Sequence, residues 1–345
     1  MKILLVTDAW RPQLNGVVRT LEHLRDELTP LGHQMEVIHP GLFHSVPCPT
    51  YPEIRLSWNA AWAMGRRIRE LRPDSVHLAT EGPLGMAARR WCMRHRVPFT
   101  TAFHTRFPEY INERWGVPTA WGYRWMRRFH APAVRTMVAT PSLRDDLASR
   151  GFEHLVYWTR GVDIRLFRPR PQRTLELPRP VFLNVGRIAP EKNLEAFLAL
   201  DLPGSKLVVG DGPDRARLQA RHPEVHFVGA KEGEELAECF TSADAFVFPS
   251  RTDTFGLVLL EAMASGLPVA AFPVTGPRDV VLQGVTGCLG EDLRAAALAA
   301  LELSPAECRR HAEAYSWEAS ARQFLSQVAA SGGAAQVPEA APGQA

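Results

Sequence analysis

Cysteine is scarce in this chain. There are five in 345 residues (Cys48, Cys92, Cys239, Cys288 and Cys308), and no two form a C-x-x-C pair. An odd, scattered set excludes a disulfide framework and a zinc ribbon and reads as reduced thiols. His222 and His226 stand four apart, but Pro223 between them argues against a helical metal pair. No D-x-D occurs, which removes the usual cue for a metal-held nucleotide, and no metal or cofactor is expected. There is no G-x-G-x-x-G either, so the dinucleotide fingerprint is missing. No apolar run approaches the roughly 20 residues of a membrane span; the longest candidate is interrupted by Glu261, Pro268 and Pro273. The opening MKILLVTDAW has one Lys and a short apolar stretch before Asp8. It is expected to be a first strand rather than a signal peptide, and the protein is expected to stay in the cytoplasm.

What is present describes an ordinary globular protein, with 46% hydrophobic and 22% charged residues, long enough for two domains. The net charge of +3 conceals a polarity. Residues 1–170 hold 25 Lys and Arg against 15 Asp and Glu, while residues 171–345 hold 15 against 22. The basic first half is expected to seek an anionic partner or surface.

The stretch Phe246–Phe272, FVFPSRTDTFGLVLLEAMASGLPVAAF, organises the rest. It reads as a buried strand, a polar loop, a helix opening near Thr254–Gly256, a stop at Ser265–Gly266 and a second strand. Both strands are continuous apolar runs, as in a parallel sheet covered on both faces. The helix is apolar all round except for Glu261, and a carboxylate there needs a partner. The amides of Thr254, Phe255 and Gly256 at the helix mouth offer donors to an anion. Asp253 reads either as the N-cap or as part of a ligand grip with Glu261.

The remaining chain alternates strands and helices. Strands are expected at 1–7, 34–39, 75–79, 99–103, 137–140, 181–185, 207–209 and 225–228. The first is followed by a loop holding Asp8, Pro12, Asn15 and Gly16, then a helix. His104 falls at the C-terminal end of a strand, the edge where open α/β sheets bind ligands. Gly210–Pro213 is another turn at that edge. Arg187 and Lys192 share one strand-to-helix loop, and two cations there suit a diphosphate. Phe167–Pro180, with four prolines and much charge, reads as a linker. Two segments carry Trp beside Arg. In 57–72, Trp58, Ala61, Trp62, Met64, Ile68 and Leu71 share one side while Arg66, Arg67, Arg69 and Arg72 cluster at the far end; Trp121, Trp125 and Phe129 lie beside Arg124, Arg127 and Arg128. Each reads equally as a core-facing amphipathic helix or as a membrane-surface element, and Trp58, Trp62, Arg66, Arg67 and Arg69 are the candidate membrane contacts.

The pattern D-T-F-G-L-V-L-L-E-A-M-A-S-G-L-P-V resembles the E-x7-E signature of retaining glycosyltransferases of family 4, with Asp253 where the family usually has Glu. Also similar are the N-G-V loop at Gly16, F-H-T-R-F-P-E-Y around His104, R-G-V-D at Arg160–Asp163, and G-R-x-x-x-x-K from Gly186 to Lys192. The resemblance covers nearly the whole chain before Ser331. It implies the α/β fold called GT-B: two doubly wound, parallel-sheet, Rossmann-like domains facing a central cleft. The expected bounds are 1–168 for an acceptor-side domain, 169–180 for the linker and 181–314 for a nucleotide-sugar domain. A helix at 315–330 would cross back, and 331–345 would be a disordered tail.

By the same resemblance, Glu261 would hold the ribose hydroxyls and Asp253 with the amides of Thr254, Phe255 and Gly256 the donor sugar. Gly16, Arg187 and Lys192 would face the phosphates, Gly210 would belong to the donor-binding edge, Val228 and the loop after it would meet the base, and His104 the sugar near the reacting carbon. Glu81 is assigned to the acceptor side by position. The expected activity is metal-independent, retaining transfer of a hexose from a nucleotide-diphosphate sugar, with a UDP-sugar favoured over GDP-mannose. The acceptor would be a membrane lipid such as diacylglycerol, at the inner face of the plasma membrane, because the nearest likeness is to bacterial lipid glycosyltransferases and phosphatidylinositol mannosyltransferases. A soluble or polysaccharide acceptor, a nucleotide-sugar epimerase and a non-enzymatic sensor are the rivals. A glycoside hydrolase fits poorly, because eight residues of mostly helical chain hold Asp253 and Glu261 about 12 Å apart.

Overall fold

The computed structural model describes residues 1–13, 15–48, 51–171 and 174–331. The expected tail, beyond Ser331, lies outside the described residues, as does the side chain of Trp62. The chain forms two units, one comprising Met1–His104, Ala120–Thr159 and the last helix from Glu318, the other Thr105–Thr119 and Arg160–Trp317.

In chain order the first half runs β1 (Lys2–Val6), α1 (Gly16–Leu28), β2 (Gln34–Ile38), β3 (Ser45–Cys48), β4 (Tyr51–Ser57), α2 (Ala60–Leu71), β5 (Ser75–Leu78), α3 (Pro83–His95), β6 (Thr100–Ala102), α4 (Phe107–Trp115), α5 (Thr119–His130), β7 (Arg135–Val138), α6 (Pro141–Ser149) and β8 (Leu155–Tyr157). Six of these strands form a parallel sheet in the order β2-β1-β5-β6-β7-β8, while β3 and β4 make a separate antiparallel hairpin. Alternation along β1 divides the core. Leu4 and Val6 join Met64 and Ile68 of α2 and Leu84 and Ala88 of α3; Ile3 and Leu5 join Leu21 and Leu24 of α1. The apolar side of α2 is thus spent on the core. In α5, Tyr123, Met126 and Phe129 are buried while Trp121 and Trp125 face outward.

The second half runs β9 (Val181–Val185), a 3-10 turn (Pro190–Lys192), α7 (Leu194–Leu198), β10 (Ser205–Val209), α8 (Arg215–Arg221), β11 (His226–Gly229), α9 (Gly233–Thr241), β12 (Ala245–Phe248), α10 (Leu257–Ala264), β13 (Val269–Ala271), α11 (Pro277–Val280), β14 (Gly287–Leu289), α12 (Leu293–Ala300), α13 (Pro305–Glu313) and α14 (Trp317–Ser331). Its sheet is also parallel, in the order β11-β10-β9-β12-β13-β14. Leu259 to Ala264 of α10 are buried without a break, as their composition requires.

The units do not divide where the linker prolines lie. α4 belongs to the second unit because Arg106 Nη2 donates to Thr275 Oγ1 at 3.2 Å and Arg114 Nη2 pairs with Glu191 Oε2 at 3.1 Å. Residues 160–171 also belong there: the Arg309 guanidinium donates to the carbonyls of Ile164 and Phe167, and to that of Ala264 at the end of α10. α14 closes the first unit, with Ala321, Phe324 and Val328 buried against Ile3 and Leu5.

In each sheet the strand order reverses beside the first strand, between β1 and β5 and between β9 and β12. Such switch points open a crevice at the C-terminal strand ends, where ligands bind in doubly wound folds.

Candidate functional site

At the switch point of the second sheet, the loop after β9 meets the loop after β12. Asn193 Nδ2 donates to the Pro249 carbonyl at 3.0 Å, and Thr252 Oγ1 to that of Glu191 at 3.1 Å. Asn193 holds a left-handed backbone, φ 52°, and ends the 3-10 turn there. With both loops fixed, Lys192 Nζ lies 2.5 Å from Asp253 Oδ1. Burial pushes the Lys192 pKa down, but the Asp253 charge and hydrogen bond outweigh it and hold the ammonium above the ordinary lysine value. Oδ2 of Asp253 is buried and, among the described residues, has no hydrogen-bond partner. Asp253 is therefore not the N-cap of α10, which is entered through Gly256 without a side-chain cap.

α4 adds residues that the sequence did not mark. Tyr110 lies near Lys192 and Asp253; burial, with Asp253 adding to it, pushes its hydroxyl up to about 12 although Lys192 pulls it down. Glu191 is only 4% exposed and is paired with Arg114, so the turn carrying Lys192 is held from its far side. F-H-T-R-F-P-E-Y contains Arg106 and Tyr110, but only the fold shows which unit they serve.

Arg187 is half-buried on the same β9 loop. That loop is braced by the next one: Gly186 N donates to Val209 O at 3.0 Å and Ile188 N to Asp211 O at 2.9 Å. A Cβ on Gly210 would lie 1.8 Å from the Gly186 carbonyl oxygen, so Gly210 permits this backbone approach. Val228, in β11, is half-buried, and the neighbouring Gly229 carbonyl accepts from Gly210 N at 2.8 Å.

At the mouth of α10, Gly256 takes φ +82°, which sets the approach of Phe255 and Leu257. Phe255 is buried and Thr254 half-buried. Glu261, one turn in, is 7% exposed in an otherwise apolar helix.

At the switch point of the first sheet, Asp8 at the end of β1 is tied to the start of α3. Asp8 Oδ1 accepts from Leu84 N at 2.9 Å and Oδ2 from Thr80 Oγ1 at 2.8 Å, which closes the N-terminus of α3. Burial raises the Asp8 pKa despite these donors. Gly16 begins α1, where Asn15 Oδ1 caps Val17 and Val18 N. His104 sits at the end of β6, edge-on to Trp158 at 5.6 Å between ring centroids. Glu81 points inward, its Oε1 3.2 Å from His130 Nε2, and His130 Nδ1 meets Thr101 Oγ1 at 2.9 Å. The fold thus brings Lys192 onto Asp253 and puts Arg187, Gly210, Val228, Gly256 and Glu261 on the same sheet edge, while Gly16, Glu81 and His104 belong to the first unit.

Trp58 precedes α2 and is exposed, against His44 at 5.8 Å. Arg66 pairs with Glu70, Arg67 donates to the Leu42 carbonyl, and Arg69 is exposed. Among the described residues there is no helix long and apolar enough to cross a membrane, and no cluster of acidic, His and Cys side chains able to hold a metal ion.

A cation held on a carboxylate at a switch point, beside a helix mouth with no side-chain cap, suits the binding of a phosphorylated ligand. Comparison with known proteins agrees. The family model "Glycosyltransferase Family 4" matches residues 14–166 and "Glycosyl transferases group 1" matches residues 179–304. A GDP-mannose-dependent alpha-mannosyltransferase of Mycobacterium tuberculosis is 34% identical over 84% of this chain and 83% of its own length. A GDP-mannose-dependent alpha-(1-6)-phosphatidylinositol dimannoside mannosyltransferase from the same species is 24% identical over 96% of each chain. Sucrose-phosphate synthase from Thermosynechococcus elongatus superposes with a TM-score of 0.78 over 94% of this chain at 20% identity, a likeness of fold. With both halves matched and a relative this similar along most of its length, the chain belongs to glycosyltransferase family 4 and uses a nucleotide sugar.

Proposed function

We propose that the protein transfers mannose from GDP-mannose to a hydroxyl of a membrane lipid, with retention of configuration and without a metal. The observation that carries this reading is the Lys192–Asp253 pair at the switch point of the second sheet. GDP-mannose replaces the UDP-sugar expected from sequence, because the relatives at 34% and 24% identity are both named for GDP-mannose dependence. The lipid acceptor is supported by the phosphatidylinositol dimannoside in the name of the second.

In this mechanism the diphosphate lies across the β9 loop and the mouth of α10. Lys192 and Arg187 take its charge as the bond to the sugar breaks, and the backbone N–H groups at Gly256 add fixed donors; each such donor contributes about 3 kcal/mol to the transition state. The free acceptor valence of Asp253 Oδ2 receives a sugar hydroxyl, and Glu261 receives the ribose hydroxyls. His104 positions the sugar and the departing phosphate assists the incoming hydroxyl, while Glu81, expected on the acceptor side, is instead buried against His130 and has no part in the mechanism.

Titration calorimetry with GDP-mannose and UDP-glucose, followed by mass spectrometry of products from a lipid extract, tests the reading. Binding of GDP-mannose and gain of one hexose by a lipid is expected. No GDP-mannose binding, or donor conversion without acceptor, overturns it.

A further inference from the structure

Trp58, 71% exposed, stands alone just before α2, whereas α5 exposes two tryptophans among the described side chains. Trp121 is 65% and Trp125 46% exposed, one turn apart on the same face. The helix is seated firmly: Tyr123, Met126 and Phe129 are buried, and Arg89 donates to the carbonyls of Arg128 and Phe129 at 2.7 and 2.8 Å. Trp125 stacks on Phe129 at 6.4 Å, which holds its indole against the helix surface. Arg124, Arg127 and Arg128 are exposed beside the two Trp, and the helix, TAWGYRWMRRFH, contains no acidic residue. Arg127 is engaged by the Arg150 carbonyl at 3.2 Å, whereas neither Arg124 nor Arg128 has an ion pair among the described residues. α2 differs, since Met64 and Ile68 are in the core and Arg66 already has Glu70.

We infer that the outer face of α5 is a docking surface for an anionic lipid bilayer. Trp with an apolar body and one N–H suits the headgroup level, and arginines in the same band meet lipid phosphates. The face is one side of a convex helix with two exposed indoles, which fits a planar surface better than a nucleic acid strand that needs a tracking groove. The inference deepens the lipid-acceptor reading by naming the face that meets the acceptor's membrane.

The test is flotation of the full chain with vesicles of phosphatidylcholine alone or mixed with phosphatidylglycerol, at low and high salt, alongside gel filtration and a single-stranded oligonucleotide shift. Wild type is expected to float with the anionic vesicles. Arg124→Ser with Arg128→Ser is expected to weaken this about thirtyfold, from roughly fivefold per arginine at the surface. Trp121→Ala with Trp125→Ala should weaken it too, whereas Trp58→Ala with Arg66→Ser should not. No flotation of wild type, variants that float as well as wild type, or a change only in self-association or oligonucleotide binding would overturn the inference. GDP-mannose binding, measured on the same variants, separates the two claims: it should be unchanged, and its absence in wild type with flotation intact would remove the donor reading while leaving the surface.

Discussion

Asp253 meets Lys192 through one oxygen and keeps the other buried without a hydrogen-bond partner among the described residues. A buried acceptor left open costs stability unless a ligand donor fills it, so this oxygen marks where a hydroxyl is wanted. Lys192→Ala removes the cation and is expected to lower kcat by about 100- to 1,000-fold with a smaller change in KM, measured by steady-state kinetics. Glu261→Ala should instead weaken donor binding, with calorimetry showing the loss as a raised Kd. The ammonium also sets a pH dependence. Its folded pKa is raised, so its contribution to stability is complete below the ordinary value of 10.5 and disappears as pH rises through the higher folded value. Melting temperature should therefore show no loss attributable to Lys192 between neutrality and that ordinary value. Lys192 and Asp253 were picked out in the sequence by their loops and Glu261 by its apolar helix, and the structure pairs the first two. Tyr110, Arg114 and Glu191 were not, since their meaning comes from contacts across 77 residues, as between Arg114 and Glu191.

Each strand of the two parallel sheets expected from continuous apolar runs is present, within a residue or two at the ends. Not expected were β8 and β14, edge strands only partly buried, unlike the fully buried and equally short β6 and β13, and the β3–β4 hairpin, which is obscured by Pro47, Pro49 and Pro52. The loops after β9 and β10 show why turn glycines differ. At Gly210 a Cβ meets backbone at 1.8 Å, whereas Gly284, at φ +72°, faces open space. Gly210→Ala is expected to cost about 3 kcal/mol by forcing apart two packed loops, and Gly284→Ala about 1 kcal/mol from backbone strain alone. Urea melts of both variants would show the difference. At Gly210 the loss should come with weaker donor binding, because the displaced loop carries Arg187.

Across the whole molecule, three of the five thiols are kept inert by burial. Cys92 and Cys308 are pushed up to about 12 and Cys239 to about 11, so these groups stay protonated at neutral pH. Alkylation followed by peptide mass mapping should label all three only after denaturant is added. Phe324 of α14 is fully buried against Trp158 and His77, and Phe324→Ala should lower the unfolding free energy by about 3 to 5 kcal/mol. That helix is the final described segment, yet the sheet it covers is made from the earliest residues. A chain leaving the ribosome at about 5 to 20 residues per second would hold Ile3, Leu5 and Trp158 uncovered for roughly ten to thirty seconds after Thr159 emerges. The second unit can close in that interval, because α4 has already been made. Chaperone capture during synthesis should therefore concentrate on the first unit, even though its strands come out first.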